Sequence, residues 1–160
     1  QPEPQIQRTA SRVMSLRDGS SKMSKSDTSD ATRINLTDSV DDIAQKIKRA
    51  KTDPEALPSE VEGLADRPEA RNLVGIFSGL SGRTESHILA EFGGQGFDVF
   101  KPALADLVVD VISPISQKMN QLLAEPDEID KLLASGAEEA YAITGPVLED
   151  VKKIIGLTPP

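Results

Sequence analysis

The apolar residues of this chain recur mostly at three- and four-residue intervals, and this helical periodicity constrains the fold more than any other feature of the sequence. Glycine or proline stands near most of the points where the pattern stops. We predict an all-α fold, a bundle of five or six helices preceded by an extended, loop-rich segment. The predicted helices span residues 38–50, 68–80, 84–92, 101–123 and 129–155, the last with breaks at Ser135-Gly136 and Gly145-Pro146.

Polar residues at the start of three of these segments are suited to cap helices. Asp38 or Ser39 serves the first, Asp66 the second and Thr84 the third. A side-chain oxygen at such a position accepts a hydrogen bond from a free N–H group of the first turn. We expect the apolar stripe of each helix to face the core.

Composition excludes several classes of site. The 160 residues include no cysteine and a single histidine, His87, so disulfides, thiolate metal sites and histidine-rich metal centres are ruled out. We therefore expect no protein-bound metal, and we expect His87 to be a partly exposed helical residue. No apolar run approaches the roughly 20 residues of a membrane span. With no signal peptide in the sequence, we expect no membrane contact and a cytoplasmic location.

Charge is distributed unevenly along the chain. The net charge is −8, of which residues 1–51 carry +3 and residues 52–160 carry −11. An acidic protein does not coat nucleic acid, so any RNA contact would be local and would most easily lie in the amino-terminal third. Lys46, Arg49 and Lys51 crowd the end of the first predicted helix. They either match the helix dipole as solvated surface or contact phosphate.

The segment before the helices contains one short run with the alternation of a strand, residues 13–16. A single strand needs a sheet to pair with, and the rest of the sequence predicts none. The chain also begins with glutamine rather than methionine. We interpret it as a piece of a longer protein, with further sequence expected on the amino-terminal side.

The loop over residues 18–30 carries the most specific motif. Residues 22–26 read KMSKS, in which Lys22 and Lys25 are three apart and each adjoins a serine. A lysine ammonium is a point charge on a flexible stem, and serine hydroxyls and loop amides add neutral donors. This combination is typical of a movable clamp for phosphate oxygens, although a solvated loop with two lysines is common. We call residues 18–30 the KMSKS loop.

The pentapeptide resembles the second signature motif of class I aminoacyl-tRNA synthetases, and its surroundings resemble the tryptophanyl-tRNA synthetases within that class. The resemblance covers nearly the whole chain and corresponds to the carboxy-terminal half of a bacterial or organellar-type enzyme. Its matching residues, besides 22–27, are 12–16, Ile34, Leu36, Asp38, 46–53, 68–73, 80–82, 96–97, 100–101 and 136–138.

The resemblance implies a reaction and a role for the loop. The family activates tryptophan with ATP to tryptophanyl-adenylate and transfers it to tRNA(Trp). By this resemblance, Lys22 and Lys25 are catalytic and stabilise charge on the departing pyrophosphate, and ATP enters with Mg²⁺. Both lysines would also bind ATP. The other ATP-binding residues implied are Val13, Met23, Ser24 and Ser26.

The resemblance also implies a division of labour. Residues 1–36 would end the catalytic domain, and residues 37–160 would form a helical carboxy-terminal domain that contacts the anticodon arm of tRNA(Trp). Lys46, Arg49 and Lys51 are then candidate tRNA contacts. The first signature motif and the tryptophan pocket are expected upstream, so the chain alone should be inactive. The parent protein is expected to be a homodimer.

Three other interpretations remain open. The chain could be a self-standing helical tRNA-binding module with a vestigial loop, or an acidic helical interaction domain, which would leave the KMSKS motif unexplained. A tyrosine-specific relative is the alternative within the same class.

Overall fold

The chain folds into helices joined by loops. The computed structural model describes residues 3–4 and 12–157; the predicted extended lead before Arg12 otherwise lies outside the described residues. The described part contains no strand, which confirms the predicted all-α fold. Its elements are α1 (Val40–Lys48), α2 (Pro68–Ser81), α3 (Glu85–Phe92), α4 (Phe97–Ala124) and α5 (Pro126–Ile154), with 3₁₀ turns at Asp30–Thr32 and Val61–Leu64.

Two of the predicted helix caps are confirmed and one is wrong. Ser39 caps α1 in a capping box with Asp42, and the Thr84 hydroxyl accepts the first-turn bond of α3. The position before α2 is held by Arg67 rather than Asp66, and no side chain caps that helix. The Arg67 guanidinium instead donates to the carboxylate of Asp53 in the preceding loop.

Helix α4 begins four residues earlier than predicted. Its first turn is drawn into the core because Phe97 and Phe100, three residues apart, are both buried there. Phe100 lies 5.7 Å from Phe77 and 5.2 Å from Phe92, measured between ring centroids. The four phenylalanines of the chain thus pack as one cluster, which extends the apolar stripe of α4 toward its amino terminus.

Helix α5 contradicts two predictions. It runs without interruption through both predicted breaks, with Gly136, Gly145 and Pro146 inside it. A glycine costs a helix interior about 1 kcal/mol and a proline about 3 kcal/mol, and the helix-forming residues on either side outweigh that cost. Its apolar side chains were also expected to be core, yet none of the residues of α5 is buried. Tyr141 and Ile143, for example, are each 74% exposed.

The chain divides into two compact units, Gln1–Gln117 and Lys118–Pro160. The core of the first unit includes Leu16, which comes from the segment before the KMSKS loop. Its backbone N–H donates to Thr32, and its carbonyl accepts from Lys51. The loop-rich segment is therefore anchored in the helical core. No helix in the described ranges is both long and apolar enough to cross a membrane.

Candidate active site

The KMSKS loop is closed by a short stem of paired backbone. Met14 and Lys22 form an isolated antiparallel bridge. On either side of this pair, Ser15 N–H donates to the Ser21 carbonyl at 2.8 Å, and Met23 N–H donates to the Val13 carbonyl at 3.1 Å. We call residues 13–15 and 21–23 the stem. The predicted strand over residues 13–16 is present only as this single bridge.

A carboxylate organises the turn that leads into the motif. Asp18 accepts hydrogen bonds from the Ser20 hydroxyl at 2.6 Å and the Ser20 N–H at 3.0 Å, and also from the Ser21 hydroxyl. These bonds, led by that from the Ser20 hydroxyl, lower the pKa of Asp18 from 3.8 to about 2. The turn therefore holds a stable negative charge four residues before Lys22.

The same turn lies directly against the start of α2. A Cβ atom added to Gly19 would stand 2.5 Å from the backbone nitrogen of Glu69 and 2.5 Å from the carbonyl carbon of Pro68. Only glycine allows two backbone segments to approach so closely. The carboxylate of Glu69 in turn pairs with the Lys51 ammonium at 2.8 Å. The first turn of α2 thus packs directly against the turn of the loop.

Both lysines of the motif have exposed side chains. Within the described ranges, neither ammonium group forms an ion pair with a carboxylate. Between the lysines, the hydroxyls of Ser24 and Ser26 lie 3.0 Å apart, and the Ser26 N–H donates to the Ser24 hydroxyl at 3.3 Å. The tip of the motif is held mainly by its own serines, so Lys22 and Lys25 are free to meet an anion.

A cavity of about 490 Å³ opens at the stem, lined by Arg12, Val13, Lys22 and Met23. It brings together three of the residues predicted to bind ATP. Ser24, Lys25 and Ser26 lie outside this lining. Met23 also packs against the hydrophobic core, which anchors the motif, whereas the side chains of Lys22 and Lys25 are exposed.

The three candidate tRNA-binding residues have different surroundings. The Lys46 ammonium lies 2.6 Å from carboxylate oxygens of both Asp30 and Asp38, and its side chain is only 11% exposed. Burial opposes its charge, but the two hydrogen bonds outweigh that effect and raise its pKa. Arg49 is exposed, and the Lys51 side chain is 58% exposed despite its pairing.

Cations from other segments hold the carbonyl groups at the end of α1. Arg17 donates to the Arg49 carbonyl at 2.7 Å, and Lys101 donates to the Ala50 carbonyl at 2.8 Å. Burial and the nearby Arg17 charge lower the pKa of Lys101. These bonds give partners to carbonyl groups at the helix end. They come from Arg17 and Lys101, not from the basic residues that the sequence places in the last turn.

Two residues near the loop were not predicted as part of the site. Arg12 lines the cavity at the stem. Asn72, on α2, donates to and accepts from the backbone of Met14. The sequence signal for Asn72 was a polar residue beside the apolar stripe of α2, which alone does not name a partner 58 positions away. His87, in contrast, is exposed as expected, with Nδ1 3.1 Å from the Thr84 hydroxyl.

No cluster of three metal-ligating side chains occurs among the residues that the structure describes.

The family described as tRNA synthetases class I (W and Y) matches residues 2–112, more than half of the chain. The chain belongs to this family.

Curated relatives that match include tryptophan–tRNA ligases. That of Caulobacter vibrioides is 56% identical over 155 residues, which cover 97% of this chain and 45% of the relative. That of Agrobacterium fabrum is 57% identical over 154 residues, which cover 96% of this chain and 44% of the relative. The chain therefore spans less than half the length of the relatives it matches.

Solved structures agree on the fold. The tryptophanyl-tRNA synthetase of Mycoplasma pneumoniae aligns with a TM-score of 0.71 at 23% identity, over 93% of this chain and 46% of that one. The tryptophanyl-tRNA synthetase of Campylobacter jejuni was solved with ADP and tryptophan. It aligns with a TM-score of 0.68 at 24% identity, over 98% of this chain and 47% of that one.

Proposed function

We propose that this chain works within a longer protein that activates tryptophan with ATP and transfers it to tRNA(Trp). The observation that carries the proposal is the 56% identity to a tryptophan–tRNA ligase across nearly the whole chain. In this proposal residues 1–36 complete the catalytic domain and residues 37–160 form the helical carboxy-terminal domain. A role in tRNA charging is consistent with a cytoplasmic location and with a homodimer.

The chemistry assigned to the loop is electrostatic. As the tryptophan carboxylate attacks the α-phosphorus of ATP, negative charge builds up on the departing pyrophosphate. Lys22 and Lys25 would meet that charge, and positioned donors of this kind lower a barrier by about 3 kcal/mol each. Their exposure and their lack of carboxylate partners among the described residues support this role.

The rest of the motif would position the nucleotide. Val13 and Met23 are proposed to lie near the adenine, and their shared cavity beside Lys22 supports that placement. Ser24 and Ser26 would donate hydroxyls to phosphate oxygens, exchanging their mutual contact for the ligand. Mg²⁺ would arrive as the ATP complex, since phosphate oxygens are the hard ligands that it prefers.

The tRNA contact is proposed for Arg49 and Lys51, which present exposed side chains close to the loop-bearing segment. Lys46 was named with them, but its two carboxylate partners would have to be displaced before it reached a phosphate. We therefore expect Lys46 to contribute less to any RNA contact than Arg49 or Lys51.

Amino-acid-dependent exchange of pyrophosphate into ATP by the full-length protein tests the proposal. We expect exchange with tryptophan and little with tyrosine. The reverse preference would favour the tyrosine-specific alternative, which the family also includes. No exchange with either amino acid, together with tRNA binding by the chain, would favour a non-catalytic helical module. We expect the chain alone to give no exchange.

A further inference from the structure

Asn72 holds the stem of the KMSKS loop from the helical side. Its side chain is almost fully buried, with 8% of the residue exposed. The Oδ1 atom accepts from the Met14 N–H at 2.9 Å, and the Nδ2 group donates to the Met14 carbonyl at 3.0 Å and the Ser15 carbonyl at 3.4 Å. Donor and acceptor of one amide are thus both used on the same backbone segment.

The geometry of the stem explains why this amide is needed. Hydrogen bonds flank the Met14–Lys22 pair on both sides, so the two residues form a non-hydrogen-bonded pair of an antiparallel ladder. In such a pair the N–H and carbonyl of Met14 point away from Lys22. A buried backbone group without a partner is costly, and the residues that the structure describes include no further strand beside Met14. The Asn72 amide fills the place of the missing strand.

We propose that Asn72 is a positioning residue for the reaction. By holding the backbone of Met14, it fixes the position of Lys22, which pairs with Met14 in the stem. The proposal rests on the proposed function of the loop and adds a residue of the helical domain to it. The close contact of Gly19 with the first turn of α2 fixes the turn of the loop. The hydrogen bonds of Asn72 fix the paired backbone from which the Lys22 side chain extends. Both contacts come from the first half of α2.

A role confined to stability would also use these hydrogen bonds, so the test must separate positioning from folding. Asn72→Asp is nearly isosteric and keeps the acceptor for the Met14 N–H. It replaces the donor with an oxygen that faces the carbonyls of Met14 and Ser15. Ser78→Ala is the matched control, because Ser78 is a buried residue of α2 whose hydroxyl donates to the Arg83 carbonyl, away from the loop.

The measurement is tryptophan-dependent pyrophosphate exchange by the full-length protein. For Asn72→Asp we expect kcat to fall about 100-fold, as small misplacements of a catalytic group can cost that much, with KM for tryptophan within about twofold. Ser78→Ala should keep kcat within about twofold, as expected of a site away from the chemistry. Equal losses in the two variants, or a loss for Asn72→Asp seen only as a lower melting temperature, would overturn the proposal.

A double-mutant cycle gives the sharper result. If Asn72 acts through Lys22, then Asn72→Asp in a Lys22→Ala background should cost much less than it does alone, leaving about a twofold effect. Full multiplication of the two losses would overturn the proposal. Failure of the loop function itself is distinguishable, because Lys22→Ala would then leave the exchange rate of the protein unchanged.

Discussion

At the scale of single residues, some charged groups in the KMSKS loop and in α1 are held by hydrogen bonds, while others are exposed to solvent. The carboxylate of Asp18 is used by two serines, and the ammonium of Lys46 is used by two carboxylates. Lys22 and Lys25 project into solvent instead. A cation held by protein carboxylates cannot serve phosphate without losing those bonds, so this division favours the motif lysines as the anion-binding pair.

The titration of Asp18 tests the order of the turn. Because its folded-state pKa is about 2 and the ordinary value is 3.8, its hydrogen bonds stabilise the turn fully above about pH 4 and lose that effect as the pH falls towards 2. Carboxyl chemical shifts measured by NMR should place the midpoint near 2. In the Ser20→Ala, Ser21→Ala double variant it should move towards 3.8. A native midpoint near 3.8 would contradict the bonding described.

Replacement of Lys46 tests its structural role. Lys46→Ala should lower the free energy of unfolding by about 2 kcal/mol, since charged hydrogen bonds to Asp30 and to the nearly buried Asp38 are lost. Lys48→Ala is the control, because Lys48 is the exposed last residue of the same helix, and it should change the free energy of unfolding by less than about 0.5 kcal/mol. Urea unfolding followed by circular dichroism measures both. Equal effects would contradict the assignment.

At the scale of elements, α2 supports the loop as well as the core. One face of the helix buries Leu73, Val74 and Phe77, while its first half contacts the loop through Glu69 and Asn72. A helix packed on a core is a rigid base, and a site supported by such an element is placed more accurately than one supported by a loop alone.

Gly19→Ala tests the close contact between the loop and α2. The added Cβ would lie 2.5 Å from backbone atoms that cannot move without shifting the helix, so the turn must separate from α2. We expect faster amide hydrogen exchange at Ser21 and Met23 and a lower melting temperature. Gly136→Ala in α5 is the control, because its Cβ would meet no atom within 4 Å. It should raise stability by up to about 1 kcal/mol. Unchanged exchange in the stem of Gly19→Ala would refute the contact.

At the scale of the whole molecule, the parts predicted from sequence are those fixed by local pattern. The apolar stripes of α1 to α3 predicted helices whose ends lie within two residues of the observed ends, and Ser39 and Thr84 cap α1 and α3 as expected. The start of α4 and the continuity of α5 were mispredicted. In the first case tertiary packing of Phe97 extended the helix, and in the second its helix-forming neighbours outweighed glycine and proline.

The residues of the candidate site likewise fall into those that the sequence could name and those that it could not. The KMSKS motif is contiguous, so its lysines and serines could be named from sequence, and the roles given to them remain predictions. The supports of the loop could not be named. Asn72 meets Met14 across 58 residues, and the need for glycine at position 19 arises only because α2 lies against it. Contacts between distant backbone segments leave no periodic trace in the sequence.

The central claim is that the two exposed lysines act on the pyrophosphate that leaves ATP. The direct test is tryptophan-dependent pyrophosphate exchange by the full-length protein with Lys22→Ala and with Lys25→Ala, and with Lys118→Ala as an exposed control outside the loop. Each loop variant should lose about 100- to 1,000-fold in kcat, the loss typical of one removed oxyanion donor, while tryptophan affinity is kept. Exchange rates within twofold of the wild type in both loop variants would contradict the claim.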